Sequence, residues 1–141
     1  MSHATTEVLR QRLRAAGLRA TPSRLAVLSL LVRRAPRALS HADAVAALVD
    51  GNWDAATIYR NLLDMVSAGL ARRVDVGDRV WRFVSDSGQA DHAHPHFVCT
   101  ECGETECLPG AKLTFASRKA PRMLSERAVE LQVRGVCDNC G

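Results

Sequence analysis

The sequence predicts an α+β protein, in which a helix-rich amino-terminal part is followed by a small αβ part. Three features of the 141 residues support this fold class: helical spacing of apolar residues before residue 70, an alternating pattern directly after it, and two Cys-x-x-Cys pairs after residue 98. A chain of this length forms one ordinary domain or two very small ones. Two very small domains need extra stabilisation, which cysteine-bound metal can supply.

Four helices are predicted before residue 70. They cover residues 5–16, 22–35, about 41–49 and 55–68. Ser40 and Asp43 have the spacing of a capping box for the third helix, and Asp54 can cap the fourth. Gly69 ends the fourth helix, because glycine readily adopts the left-handed conformation that follows a helix.

A hairpin is predicted after the helices. The segment "RRVDVGDRVWRFV" alternates as two strands do, and Gly77-Asp78 has the composition of a two-residue turn. Helix, turn, helix and hairpin together predict a winged helix-turn-helix over residues 1–84. In such modules the second helix of the pair enters the DNA major groove with its first residues toward the bases.

The fourth helix is therefore the candidate recognition helix. Its early residues nominated for base contact are Thr57, Tyr59 and Arg60. The alternative is that Tyr59 belongs to the hydrophobic core and that Arg60 is an ordinary solvated charge. The net charge of +4, with arginines concentrated in the first 85 residues, fits a surface that faces phosphates and fits a plain solvated surface equally well.

The remaining composition limits the class of protein. No apolar run approaches the ~20 residues of a membrane span, and the amino terminus lacks the apolar core of a secretory signal. We therefore expect a soluble protein of the reducing cytoplasm, where cysteines bind metal more often than they form disulfides.

The carboxy-terminal part is expected to be a separate unit. Residues 85–91 are polar and contain glycine, which predicts a hinge between a domain over 1–84 and a domain over 92–141. Strand-like segments in the second domain are "HFVC", "ETECL" and "AVELQVRGV", and a helix is predicted within 111–124.

The two Cys-x-x-Cys pairs predict a structural zinc site. They are formed by Cys99, Cys102, Cys137 and Cys140, and a glycine follows the second cysteine of each pair. Each pair turns two thiolates toward one point, and four thiolates satisfy tetrahedral zinc. The alternative is a redox Cys-x-x-Cys, which needs only one pair at the start of a helix.

A second metal site is predicted from the leftover Cys107 with His94 and His96. The two histidines are two residues apart in a predicted strand, so that their side chains share a face. The alternatives are a buried Cys107 with two solvated histidines, or a nucleophilic cysteine paired with histidine. No oxyanion-hole or substrate-pocket signal accompanies the cysteine, so we expect no enzyme and no small-molecule substrate.

Several segments together resemble the ferric uptake regulator (Fur) superfamily of metal-responsive repressors. They are "GLRATPSR", "SHADAV", "DAATIYRNLLDMVSAGL", "HPHFVCTECG" and "VRGVCDNCG", in the order and spacing of that family. The resemblance implies a winged-helix DNA-binding domain, a hinge, and an αβ dimerisation domain with a four-cysteine zinc site. It also implies a homodimer that binds palindromic operators when a regulatory metal near the hinge holds the domains closed.

The resemblance also assigns roles to individual residues. It implies that Tyr59 and Arg60 contact bases, that Arg19 approaches the minor groove or the backbone, and that Arg24 lies on the phosphate side. It implies that the four paired cysteines hold structural zinc and that the histidines nominated above hold the regulatory metal.

Departures from the family pattern bear on the choice of metal. Cys107 stands where iron and peroxide sensors have a carboxylate, and a mixed Cys and His set favours zinc. Ala38 and Arg82 replace two further family ligands, and an accessory third site lacks its ligands too. The fourth ligand is expected from His41, with Asp75, Asp91 and His92 as competitors. We therefore expect two zinc ions per subunit and a zinc-responsive repressor; the alternatives are an iron or peroxide sensor and a thiol-redox sensor through Cys107.

Overall fold

The computed structural model describes residues 3–86, 95–116, 119, 121–122 and 130–141. The helices in these residues are α1 (His3–Ala15), α2 (Pro22–Arg34), α3 (His41–Ala47) and α4 (Ala55–Ser67). The strands are β1 (Leu39–Ser40), β2 (Ala71–Asp75), β3 (Trp81–Ser85), β4 (His96–Cys99), β5 (Thr105–Cys107) and β6 (Gln132–Gly135). The four predicted helices are thus confirmed, and no helix of the described chain is long and apolar enough to cross a membrane.

Side-chain caps fix where the helices begin. At α3 the Ser40 hydroxyl accepts a hydrogen bond from the Asp43 amide, and the Asp43 carboxylate accepts one from the Ser40 amide. This reciprocal pair is the predicted capping box. At α4 the Asp54 carboxylate accepts a hydrogen bond of 2.7 Å from the Thr57 amide, which fixes the first turn of the candidate recognition helix.

The hydrophobic core of the amino-terminal part lies between the four helices and the first sheet. Its most completely buried large side chains are Leu13, Val27, Leu28, Leu30, Leu31, Ile58, Leu62, Met65 and Phe83. Burial of such side chains stabilises the fold by roughly 1.5–3 kcal/mol each. Because this core includes residues of α2 and α4, it holds the two helices against each other.

The first sheet has the strand order β1-β3-β2 and is antiparallel. Sequence patterns missed β1, because a strand of two residues has no measurable alternation. The predicted two-residue turn is wrong, since the pairing of Asp75 with Trp81 leaves a five-residue loop, 76–80. Within the loop the Asp75 carboxylate accepts a hydrogen bond of 2.7 Å from the Gly77 amide, which competes with continued strand pairing.

The second sheet has the order β5-β4-β6, with β4 antiparallel to β5 and parallel to β6. The three strands coincide with the three predicted segments. The helix expected within 111–124 is not found among its described residues, 111–116, 119, 121 and 122. Leu113, the large apolar residue of this segment among the exposed side chains, is 53% exposed. A helix without a buried apolar face has little to stabilise it.

Backbone hydrogen bonds join the two parts directly. The Ala38 amide donates to the Gly103 carbonyl at 2.8 Å, and the Thr105 amide donates to the Pro36 carbonyl at 2.9 Å. An antiparallel bridge pairs Arg37 with Glu104 between them. The segment that precedes β1 therefore lies alongside the second sheet through one isolated β-bridge and its flanking hydrogen bonds.

A small apolar cluster reinforces this junction. It consists of Ala38, Val74, Val84 and Val98, each no more than 4% exposed. Val98 belongs to the second sheet and the other three belong to the amino-terminal part, so the cluster packs one part against the other. Of the hinge predicted over 85–91, Ser85 ends β3 and Asp86 is bonded to the Leu70 carbonyl, while residues 87–91 lie outside the described chain.

Candidate metal centre and nucleic-acid interface

Four cysteine side chains converge at one end of the second sheet. The sulfur atoms of Cys99, Cys102, Cys137 and Cys140 all lie within 4.8 Å of one another. The Cys102 and Cys137 sulfurs are 3.8 Å apart. A tetrahedral zinc ion with thiolates at about 2.3 Å requires sulfur separations of about 3.8 Å. The cluster therefore fits a zinc site.

The parallel pairing of β4 with β6 brings the two cysteine pairs together. Cys99 ends β4 opposite Gly135, and two residues later the chain reaches Cys137. The knuckle after Cys99 closes with Gly103 at φ +74, a conformation that favours glycine. At the second knuckle the Cys140 amide donates to the Cys137 carbonyl at 3.0 Å.

The pKa values of the clustered thiols favour a bound cation. Amides of Cys102 and Cys137 donate to the buried Cys99 sulfur and lower the pKa of that thiol to about 6. The neighbouring Cys137 and Cys102 thiols raise the pKa of Cys140 to about 12. The Cys99 thiol therefore loses its proton readily, and the negative charge already in the cluster opposes the formation of a second thiolate. A divalent cation removes this repulsion, so the donor set suits a metal ion.

Two members of the predicted second site face each other across strands. His96 on β4 pairs in register with Cys107 on β5 and with Gln132 on β6. Side chains of directly opposed residues share a face, with Cβ atoms about 4.5–5.5 Å apart across an antiparallel pair. His96 is 5% exposed, whereas Cys107 is exposed. The structure thus brings His96 and Cys107 together, and His94 lies outside the described residues.

The candidates for the fourth ligand lie in different places. Asp75 is close to the second site, since its backbone carbonyl and amide bond the side chain of Gln132, the neighbour of His96. Its carboxylate accepts from the Gly77 amide and lies 3.9 Å from Arg134. Asp91 and His92 lie outside the described residues.

His41 is not brought to the second site. Its Nε2 atom is 2.7 Å from the Ala55 carbonyl oxygen, at the start of α4. Its two described contacts, the Ala55 carbonyl and the Tyr59 ring, both lie on α4. Among the described residues, His41 does not converge with His96 and Cys107 as a group of metal ligands.

The candidate recognition surface lies on the first turns of α4. Tyr59 is 41% exposed and therefore does not belong to the core. Arg60 is exposed and its guanidinium lies 3.4 Å from the Thr57 hydroxyl. Thr57 is half-buried at the same end of the helix. Thr57 and Arg60 lie one helical turn apart on one face of α4, whereas Tyr59, two residues after Thr57, projects from a different side of the helix.

Arg19 and Arg24 flank α4 differently. Arg19 is exposed, and its carbonyl accepts a hydrogen bond of 3.1 Å from the Arg24 guanidinium. Arg24 also forms an ion pair of 3.0 Å with Asp64 on α4. The charge of Arg24 is therefore partly neutralised in the folded chain. Sequence reasoning missed this pair because the two residues are 40 positions apart.

Gln132 is a second residue that sequence reasoning missed. It links the second site to Asp75 in the amino-terminal part through both hydrogen bonds of its amide. The spacing of β6 residues gave no signal for this contact, because a polar residue in a short edge strand usually faces solvent. Only the register of β4 with β6 places Gln132 beside His96.

Comparison with known proteins identifies the family. The model of the ferric uptake regulator family matches residues 15–132. A ferric uptake regulation protein of Neisseria gonorrhoeae is 32% identical over 92% of this chain and 90% of its own length. A peroxide-responsive repressor of Staphylococcus aureus is 30% identical over 91% of this chain and 86% of its own length.

A solved structure extends the comparison to the fold. A zinc uptake regulator in complex with zinc and DNA superimposes with a TM-score of 0.67, at 20% identity, over 99% of this chain and 96% of that chain. At this identity the likeness concerns the fold alone. The family match covers most of the chain, and the winged helix, the second sheet and the cysteine cluster agree with it. This chain belongs to the ferric uptake regulator family.

Proposed function

We propose that this protein is a zinc-responsive DNA-binding repressor that acts as a homodimer on palindromic operators of metal-homeostasis genes. The observation that carries the proposal is the registered pair of His96 and Cys107 on the sheet face that packs against the winged helix. A mixed imidazole and thiolate donor pair suits zinc better than iron or manganese. Family membership supports a metal-responsive regulator.

The proposed sensing site consists of His94, His96 and Cys107. A fourth ligand comes from Asp75, Asp91 or His92, or from His41 if the two parts rearrange. Together with the four-cysteine cluster, this gives two zinc ions per subunit, one structural and one regulatory. When bound, the regulatory ion supplies only charge and fixed geometry, and the protein residues transmit its presence.

The sheet that carries the sensing pair also contacts the winged helix. Val98 lies on the same face of β4 as His96, two residues along, and packs against Ala38. On β6, Gln132 bonds Asp75 at the base of the wing. Metal ligation that fixes His96 and Cys107 therefore favours one arrangement of the two parts. The coupling free energy expected for such a link is about 1–3 kcal/mol.

The proposed DNA contacts lie on the winged helix. Thr57, Tyr59 and Arg60 contact bases, while Arg19 and Arg24 bind phosphates or the minor groove. A bidentate contact from Arg60 to guanine contributes about 1–3 kcal/mol of discrimination. Dimer symmetry then places two such helices in successive major grooves of a palindromic site.

A second candidate function is an iron or peroxide sensor, which the sequence relatives favour. Ferrous ion at histidines would then cause oxygen insertion into their rings after peroxide treatment. A mass spectrum without added oxygen on the His94–His96 peptide contradicts this function. A thiol-redox sensor that acts through Cys107 is distinguished by treatment with an oxidant while the amount of bound zinc is held constant. DNA binding changes under this treatment only if the protein senses oxidation.

The decisive experiment is a titration of metals against DNA binding. Purified protein with an intact cysteine cluster is mixed with promoter DNA from the genes next to its own gene. The free concentration of zinc, ferrous iron, manganese or nickel is then set with a metal buffer, one metal at a time. We expect half-maximal binding at sub-nanomolar free zinc and no response to iron. DNA binding that survives removal of all but the cysteine-bound metal contradicts the proposal.

A further inference from the structure

His41 joins the first turns of α3 and α4. It is the first residue of α3, and its Nε2 atom lies 2.7 Å from the carbonyl oxygen of Ala55, the first residue of α4. A carbonyl oxygen only accepts hydrogen bonds, so the proton resides on Nε2 and His41 donates. This contact fixes the distance between the starts of the two helices.

The same imidazole supports the exposed ring of Tyr59. The two ring centroids are 5.2 Å apart and the ring planes are inclined by 59°. Aromatic pairs prefer such tilted arrangements at this separation. Tyr59 is 41% exposed, so one side of its ring contacts His41 while much of the remainder is open to a ligand.

A long side chain that is already held loses less freedom when it binds. Tyr59 without His41 would rotate about its side-chain bonds on an exposed helix face. The Asp54 cap fixes the backbone of α4 but does not contact the Tyr59 ring through any described hydrogen bond. His41 therefore supplies a restraint on Tyr59 that the helix itself lacks.

We infer that His41 is a positioning residue for DNA recognition: it holds the start of α4 and the Tyr59 ring in the geometry that reads bases. The inference rests on the proposed DNA-binding role of α4. It assigns His41 to the recognition surface, because both of its described contacts lie on α4. It also gives a reason for histidine at this position that needs no metal.

The test compares His41→Ala with His41→Gln. The Gln side-chain amide nitrogen can occupy the place of Nε2 and donate to Ala55, but an amide is a poor zinc ligand. Binding is measured by fluorescence anisotropy at saturating zinc. The probes are a duplex that the wild-type protein selects from a random library and the same duplex with one substituted base pair under Tyr59 or Arg60.

We expect His41→Ala to bind the selected duplex about 3- to 10-fold more weakly, the range that corresponds to one lost side-chain restraint. Its preference over the substituted duplex should fall by a similar factor. His41→Gln should recover at least half of the lost discrimination, on a logarithmic scale. The zinc concentration for half-maximal binding should be the same in all three proteins.

A matched control weakens α3 by another route. Ser40→Ala removes the hydroxyl that caps α3 without touching Ala55 or the Tyr59 ring. We expect Ser40→Ala to lower the melting temperature while base discrimination stays at the wild-type value. Equal loss of discrimination in Ser40→Ala and His41→Ala would mean that general loosening of α3 explains the effect, and would overturn the inference.

Two further results decide between roles. A shift in the zinc response of His41→Gln, with discrimination intact, overturns the inference in favour of a metal ligand. Wild-type discrimination in His41→Ala overturns it as well. If the wild-type protein selects no sequence from the library, the proposed function itself fails, which distinguishes that failure from a failure of the His41 role.

Discussion

The amide of Ala38 donates a hydrogen bond of 2.8 Å to the carbonyl of Gly103, the residue that directly follows the first cysteine knuckle. One residue of the winged helix is thus tied to the backbone of the four-cysteine cluster. The cluster and the DNA-binding part are neighbours in space, although more than 60 residues separate Ala38 from Gly103 in the sequence. Loss of order in the knuckle is therefore expected to reach the winged helix.

Cys140→Ser should remove the structural metal. The four-thiolate site loses one ligand, and metal binding to such sites contributes on the order of 10 kcal/mol to folding. We expect one fewer zinc ion per subunit and a melting temperature lower by about 10 °C or more. Elemental analysis measures the zinc content, and circular dichroism measures the melting temperature. Unchanged metal content would contradict the role of Cys140 as a required ligand of the four-cysteine site.

Cys107→Ser should abolish zinc-dependent DNA binding while the structural metal remains. The serine hydroxyl is a much weaker zinc ligand than a thiolate, so the zinc content should fall from two ions to one per subunit. The melting temperature without added zinc should match that of the wild type. A variant that keeps its zinc response but loses an oxidant response would instead identify Cys107 as a thiol-redox sensor.

Val98→Ala should loosen the junction between the two parts. The Val98 side chain is 1% exposed and packs with Ala38, Val74 and Val84. Removal of two buried methyl groups lowers the free energy of unfolding by about 1.5–3 kcal/mol. Denaturant titration measures this change. Val49→Ala is the control, because Val49 is 70% exposed and its truncation should change stability by less than about 0.5 kcal/mol.

Arg19→Ala and Arg24→Ala should differ in the salt dependence of DNA binding. Arg19 is exposed, so its loss should reduce the slope of log affinity against log salt by about 1. Arg24→Ala should reduce it less, because Asp64 already pairs with Arg24. Asp64→Asn should steepen the slope by freeing Arg24. Equal slopes for the two arginine variants would contradict this assignment.

Asp54→Ala should destabilise the protein at neutral pH and less so in acid. Hydrogen bonds from the side chain and amide of Thr57 hold the pKa of the Asp54 carboxyl below its usual value. The stabilisation is complete above the unfolded pKa of about 3.9 and is lost as pH falls through the lower folded pKa. The free energies of unfolding of wild type and variant are compared at each pH. Loss of metal from the cysteines in acid affects both proteins equally and therefore does not enter the difference. Asp54→Asn, which still caps α4, should keep most of the stability and lose only the part of the pH dependence that Asp54 contributes.

The sequence by itself determined the local elements and the chemistry of the cysteines. Helix caps such as Ser40 and Asp54, and the two Cys-x-x-Cys pairs, act within a few residues of the chain, so their spacing is visible in the sequence. The resemblance to the family also appeared in short segments, and the family model confirms it. The exact turn of the hairpin and the helix within 111–124 were predicted wrongly for the described residues, because loop hydrogen bonds and missing burial outweighed local pattern.

Only the tertiary structure decided which distant residues meet. The register of β4 with β5 places His96 opposite Cys107, and the segment before β1 is joined to the second sheet by the hydrogen bond from Ala38 to Gly103. The same topology directs His41 toward α4 and Tyr59, and His41 does not converge with His96 and Cys107, two ligands of the proposed second site. Strand register is fixed by how whole strands pair and by the turns that join them, and a shift of one position would move every side chain to the other face, so the pattern of a single segment does not specify which residues become neighbours.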